Sequence, residues 1–232
     1  MRALHWIGFA SPPLSIAELS EAVSLQDGMD SIDLEDMIDD SEILRRCSSL
    51  IRKSHDGLRY EFAHFTVPEY LSSIDPKSPL GQYRLSRDSA SISLAKMSLR
   101  YLSLEQFNQL PRAEEEQLEL VAERQNCHPF FSYASCNWFE GMCENLVMDQ
   151  TLVDLLRLFF GNSRRGCFLS WTIELVSGTA DPPRPLMNSE MLELLEAVLQ
   201  PGLSSLHVAA SIGRPEICRL LIEQGEEINR RR

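Results

Sequence analysis

The chain has no glycine-rich phosphate loop, no nucleophile elbow, no Cys-x-x-Cys pair and no apolar run long enough to span a bilayer. Each absence excludes a class of function. Gly-x-x-x-x-Gly-Lys-Ser/Thr cradles nucleotide phosphates, and the stretch from Gly161 to Gly166 lacks the Lys-Ser/Thr that would have to follow. Gly-x-Ser-x-Gly would present an esterase serine, and it is missing too. A transmembrane helix needs about 20 apolar residues in a row. Positive charge is scarce: 22 Lys and Arg stand against 34 Asp and Glu, a net charge of −12. That balance argues against nucleic acid and anionic membranes as main partners. His64, His128 and His207 have no Ser or Cys partner that sequence alone justifies. The expectation is a chain that is not an enzyme, with no catalytic residue, metal or cofactor.

The cysteines are Cys47, Cys127, Cys136, Cys143, Cys167 and Cys218, most of them in or beside apolar stretches. They read as reduced, buried residues of an intracellular, cytoplasmic protein. A zinc site from Cys127, His128, Cys136 and Cys143 would need a spacing unlike known patterns. Met1 to Ala10 faintly mimics a secretory signal, but His5 interrupts it and no clean cleavage site precedes Pro12-Pro13. It reads as a core helix instead.

What is present centres on Leu58 to Leu71. Leu58, Tyr60 and Phe62 alternate with Arg59, Glu61 and Ala63, which predicts a strand with the first set facing a core. Thr66-Val67-Pro68-Glu69 predicts a capping box opening a helix, with Pro68 in its first turn. Upstream, Leu50 to Lys53 predicts a partner strand, and Ser54-His55-Asp56-Gly57 a turn. Ser15 to Glu18 is a second capping box, with Ile16, Leu19 and Val23 inward. Ser41 to Cys47 predicts a third helix. Asp27 to Glu42 holds eight acidic residues and no basic one. It reads as a solvated loop tacked down by Leu34, Met37 and Ile38. Its Asp27, Asp30, Asp33 and Asp36 are three apart, which does not suit a calcium loop. Arg45, Arg46, Arg52, Lys53 and Arg59 cluster at the hairpin and read as a solvated face.

Asp75 to Pro79 breaks the pattern. Helical blocks follow, with Ile92, Ala95, Leu99 and Leu102 on one face and Leu118 and Val121 on another. Leu152, Leu155, Leu156 and Phe159 form a further face. Phe130, Phe131, Tyr133, Trp138, Phe168 and Trp171 read as core rather than as a ligand pocket. Gly178 to Pro185 is a second linker. Ser189 to Leu199 predicts a helix with Leu192, Leu195 and Leu199 on one side.

Two resemblances follow from these residues. Cys47 to Ile51 with Phe62 to Leu71 resembles the winged helix of fungal NACHT-type signalling NTPases, often labelled GPI-inositol-deacylase-like. Leu99 to Leu102, Pro129 to Ala134 with Trp138, and Phe168 with Trp171 resemble the helical segment after it, though Gly141 stands where a His is common. Leu206 to Gly213 and Leu220 to Gly225 look like one ankyrin repeat, with Ala209 and Ala210 at a close helix contact, Gly213 in the turn and Pro215 opening the second helix. Ser204-Ser205 replaces the usual Thr-Pro, and Glu226-Glu227 the usual Ala-Asp. One repeat cannot bury its faces alone, so Leu192, Leu195 and Leu199 are expected against Leu206, Val208, Leu220 and Leu221.

The resulting fold class is mainly α. A winged helix with a small β-hairpin covers residues 1–74, a helical domain 75–180, and an ankyrin-type repeat with its capping helix 186–232. The resemblance implies a non-enzymatic regulatory and protein-interaction segment of a NACHT-ankyrin, NLR-like signalling protein, either truncated or a stand-alone remnant. Partners would be a protein at the ankyrin end and a missing upstream NTPase core. His64 has two readings: a ring bonded to local backbone or, by resemblance, a sensor of bound nucleoside diphosphate that works only with that core. The alternatives are a winged-helix DNA binder, or an enzyme with a pocket in the helical middle.

Overall fold

The computed structural model describes residues 1–109, 114–139, 149–179 and 205–223. The fold is mainly helical, with one small antiparallel sheet. Helix α1 (Arg2–Phe9) buries Leu4 and Trp6, and the chain turns at a cis Ser11–Pro12 bond. Helix α2 (Ile16–Ser24) starts with the expected capping box. Ser15 N–H donates to Glu18 Oε2 at 2.6 Å, and Glu18 N–H donates to Ser15 Oγ at 3.3 Å. Two orphan amides of the first turn are thereby satisfied. Helix α3 (Asp40–Cys47) is capped by Asp39, which accepts from Ser41 N–H. It ends at Ser48, whose φ of 50° and ψ of −133° place a non-glycine residue in a strained region.

Strands β1 (Ile51–Lys53) and β2 (Tyr60–Phe62) pair with Ile51 opposite Phe62 and Lys53 opposite Tyr60. Gly57, at φ 71°, makes the turn between them. Ser15 adds a single antiparallel bridge to Arg59, and Ile16 N–H donates to Leu58 O. The amino-terminal order is therefore helix, bridge residue, two helices, hairpin.

Three sequence expectations are corrected here. Leu58 is 62% exposed, whereas Tyr60 is buried. Leu58 lies before a strand of only three residues, so the alternation does not extend back to it. Thr66 does not cap helix α4 (Thr66–Ser73); it is the first helical residue. Its hydroxyl is taken by the His64 ring, at 2.9 Å from Nδ1. The acidic loop is held down by Ile32, which is fully buried, together with the expected Met37 and Ile38, both half-buried, while Leu34 is 63% exposed. Ile32 is anchored from outside the loop: its N–H donates to Gln106 Oε1 at 2.7 Å.

Helix α5 (Arg87–Leu102) carries Ala95, Leu99 and Leu102 inward, as the spacing predicts. Helices α6 (Glu114–Cys127) and α7 (Pro129–Asn137) follow, α7 opening on Pro129, where a missing amide donor costs nothing. Helix α8 (Gln150–Phe160) is capped by Asp149, which accepts from Leu152 N–H. Helix α9 (Arg165–Thr179) packs on α7 and α8. The aromatics Phe130, Phe131, Tyr133, Trp138, Phe168 and Trp171 are all buried, so the core reading holds. Trp171 contacts Trp138, Phe159, Phe160 and Phe168, and its indole N–H donates to Ser135 O at 2.9 Å.

Helices α10 (Ser205–Ser211) and α11 (Pro215–Glu223) form the carboxy-terminal pair. Gly213 sits between them at φ 70°. Its N–H donates to Ala210 O, and Arg214 N–H donates to Ala209 O. That pair of bonds is a Schellman cap, which needs a left-handed residue. Ala209 is fully buried at the helix contact, while Ala210 is exposed. One apolar cluster runs from Leu4 to Leu221, continuous across the linker at residue 75.

Candidate functional site

His64 lies at the end of the hairpin, exposed to solvent. Thr66 N–H donates to its Nδ1 at 3.3 Å. An amide can only donate, so Nδ1 is an acceptor and the neutral ring carries its proton on Nε2. The ring leans on Phe65 with centroids 4.2 Å apart. Phe65 is 66% exposed, so this ring pair faces solvent. Asp27 to Glu42 and the hairpin share charges. Arg45 and Arg46 both pair with Glu42, Arg52 with Glu61, and Lys53 with Asp40. The two arginines hold the Glu42 carboxyl down to about 2. A phosphate backbone would have to displace these carboxylates, so the basic cluster is a poor electrostatic footprint for DNA.

A buried polar network joins α2 to the helices beyond residue 75. Glu21 is fully buried. Its Oε1 accepts from Tyr101 OH at 2.7 Å and lies 2.8 Å from His128 Nδ1. Its Oε2 accepts from Phe130 N–H at 2.9 Å. His128 Nε2 lies 3.1 Å from Gln106 Nε2. Ile32 N–H donates to the Gln106 oxygen, which fixes that amide with its nitrogen toward the histidine. His128 Nε2 must therefore accept, and Nδ1 carries the proton that it donates to Glu21. Burial and the neighbouring carboxylate push the Tyr101 hydroxyl well above its ordinary value. Every polar atom of this carboxylate is used, which suits a structural clasp between two parts of the chain. His128 thus has both ring nitrogens engaged, and Cys143 lies outside the described residues. Sequence reasoning missed this network. The available signal was the position of Glu21, four residues before the buried Leu25 on the inward face of α2.

Arg124 is buried beside it, 5.4 Å from the Phe131 ring centre, with Nε and Nη2 unpaired. Burial draws its guanidinium down to about 10, and the charge of Glu174 partly opposes that.

A cavity of about 260 Å³ opens between α1, α5 and α7. Trp6, Ser98, Tyr133 and Trp138 line it, with Arg87 and Ser91. Its lining holds no trio of titratable groups among the described residues, whereas a second cleft, of about 220 Å³ in the helical middle, is lined by Arg124, His128 and Glu174.

The carboxy-terminal pair sits on α8. Ser205 Oγ donates to Phe160 O at 3.1 Å, and α11 packs against α8. Leu206, Val208, Ile217 and Leu221 are buried, while Leu220 is half-buried. The sequence named the helix from Ser189 to Leu199 as the only amino-side neighbour. Leu192, Leu195 and Leu199 lie outside the described residues, but α8 is a neighbour as well. Leu152, Leu156 and Phe159 are buried along α8, and Phe160 closes its carboxyl end, its carbonyl accepting from Ser205.

Residues 201–230 match the ankyrin repeat family, and α10 and α11 are the helix pair of that repeat. No curated protein and no solved structure matches the chain. An ankyrin repeat is a protein-interaction element whose stability comes from stacking on neighbours. Among the described residues no helix is long and apolar enough to cross a membrane.

Proposed function

We propose that this chain is a non-enzymatic regulatory and protein-interaction segment of a NACHT-ankyrin signalling protein. The observation that carries the reading is the ankyrin helix pair docked on α8, which places an interaction repeat on a helical body. The amino-terminal order of helix, bridge residue, two helices and hairpin is the order of a winged helix, and it supports placing that domain at residues 1–74. The helical domain at 75–180 then links it to the repeat at 186–232.

In this reading the winged helix rests on an upstream NTPase core and the ankyrin end contacts a protein partner. His64 is exposed at the strand-to-helix junction with Nδ1 taken by Thr66, which leaves Nε2–H as the donor this role would use. The test of that role is a fusion to a compatible NTPase core. His64→Ala is expected to weaken diphosphate affinity and shift the fusion toward its active state. Equal affinity in both fusions, with the fold intact, leaves His64 structural. The non-enzymatic half is tested directly: the purified chain assayed with ATP, GTP and simple esters is expected to match a buffer blank. Turnover that survives repurification overturns it.

A further inference from the structure

The hydrogen bonds around Gln106 suit a neutral His128 and no other form. Ile32 N–H donates to Gln106 Oε1 at 2.7 Å, and a backbone amide can only donate. The Gln106 nitrogen is thereby turned to His128 Nε2, 3.1 Å away. That nitrogen also only donates, so the ring nitrogen meets it with a lone pair. A ring protonated on both nitrogens would set two N–H donors against each other across this contact. The relief is a half-turn of the Gln106 amide. Its oxygen then accepts from His128, and its nitrogen faces the Ile32 amide, which loses its acceptor. A proton on His128 Nε2 and an Ile32 seated on Gln106 exclude one another.

The charged ring still has a partner where it stands. Glu21 Oε1 lies 2.8 Å from Nδ1 and keeps that bond in either state. Tyr101 OH, from α5, donates to the same oxygen. Arg124 of α6 and Glu174 of α9 line one cleft with the ring and carry opposite charges. The amino end of α7, which His128 precedes, opposes a cation. On the loop side stand Glu105 and Asp30, joined by Glu105 N–H donating to Asp30 O at 2.8 Å. Protonation therefore leaves the Glu21 clasp in place and costs one specific bond, the one that seats Ile32. The His128 side chain is 12% exposed and borders the cleft, so a proton reaches it from solvent. Histidine is the side chain whose ordinary proton change falls between about pH 5 and 8.

Ile32 is the fully buried anchor of the acidic segment. The two ends of that segment are held independently. Arg100 pairs with Asp27, and Ile38 N–H donates to Ser24 Oγ at 2.6 Å. We infer that His128 and Gln106 form a proton-sensitive latch: a proton on His128 turns the Gln106 amide, unseats Ile32 and frees the acidic segment between Asp27 and Ile38. The latch is closed while the ring is neutral and opens as the pH falls through the titration of the ring. Asp30, Asp33, Glu35 and Asp36 move with the freed stretch. Ile32 belongs to the amino-terminal part and Gln106 and His128 to the helices beyond residue 75, so opening changes the contact between the two.

Hydrogen exchange of single amides reads the latch directly. The His128 ring is titrated by its C–H shifts, and Ile32 protection is measured as the ratio of intrinsic to observed exchange rate. Both run from about pH 8 to about pH 5, above the ordinary carboxylate range near about 4. Ile32 protection is expected to fall at least tenfold with the midpoint of the ring titration, while Leu99 in α5 keeps its own. Gln106→Glu offers an acceptor oxygen to both neighbours. In that variant Ile32 protection is expected to stay within twofold over the same range. Constant Ile32 protection in the wild type while the ring titrates overturns the latch. So does a ring that takes no proton in that range in the folded chain, or a loss shared equally by Leu99. A loss of the same size in Gln106→Glu overturns the role of the amide.

Discussion

Tyr101 on α5 donates a 2.7 Å hydrogen bond to the carboxylate of Glu21 on α2. The two residues are 80 positions apart in the chain and both are fully buried. Through this bond, and those of His128 and Phe130, the amino-terminal segment is fastened to the helices that carry the repeat. A buried carboxylate is tolerated only when all its acceptor capacity is used.

Glu21→Ala strands the Tyr101 hydroxyl, the Phe130 amide and His128 at once. It is expected to destabilise the chain by about 3–5 kcal/mol in urea unfolding. Glu21→Gln keeps one acceptor oxygen and is expected to cost less. In a double-mutant cycle Tyr101→Phe should lose most of its effect in the Glu21→Ala background. Additive effects would show that the two groups do not interact.

Asp149 both caps α8 and pairs with Lys96 on α5 at 2.7 Å. The Lys96 ammonium, aided by the Leu152 amide, holds its carboxyl below the ordinary value of 3.8. A depressed folded value means that the unfolded chain takes the proton more readily. The contribution is therefore complete above 3.8 and is lost as the pH falls through the folded value. Asp149→Ala is expected to cost about 1 kcal/mol at neutral pH through the lost cap. It should also reduce the fall in stability on the acid side. Wild type and variant with the same acid limb in a pH series of melts would contradict this.

The sequence displayed local chemistry well and long-range polar pairing hardly at all. The Ser15–Glu18 capping box, the turn at Gly57 and the repeat at Leu206 to Gly213 are signals within a few residues, and they form as read. The Thr66 box has the same letters but does not form, because the His64 ring two residues away competes for the hydroxyl. The aromatic core was legible from helical spacing. The cavity was not, because it depends on how Trp6, Ser98 and Trp138 meet across three helices. The Glu21 clasp likewise joins residues that no local pattern connects.

Gly213 has no heavy atom within 4 Å of the place a Cβ would occupy. Gly213→Ala therefore meets no clash, and its cost is conformational, about 1–2 kcal/mol for a left-handed residue. The loss is expected in the carboxy-terminal pair, read by faster amide exchange in α10 and α11 with α2 and α5 unchanged. Leu221→Ala, at a site 1% exposed, is expected to cost about 2–5 kcal/mol. Exchange that rises uniformly across the chain would contradict a separately loosened repeat.

Helices α10 and α11 form an ankyrin repeat docked on α8. The most direct measurement is thermal unfolding of the chain with two consensus ankyrin repeats appended in register after residue 230. Stacking couples neighbouring repeats. The account predicts that the native pair and the appended repeats melt together, and that Leu221→Ala lowers the melting point of both. Two independent transitions, with the appended repeats indifferent to Leu221→Ala, would contradict it.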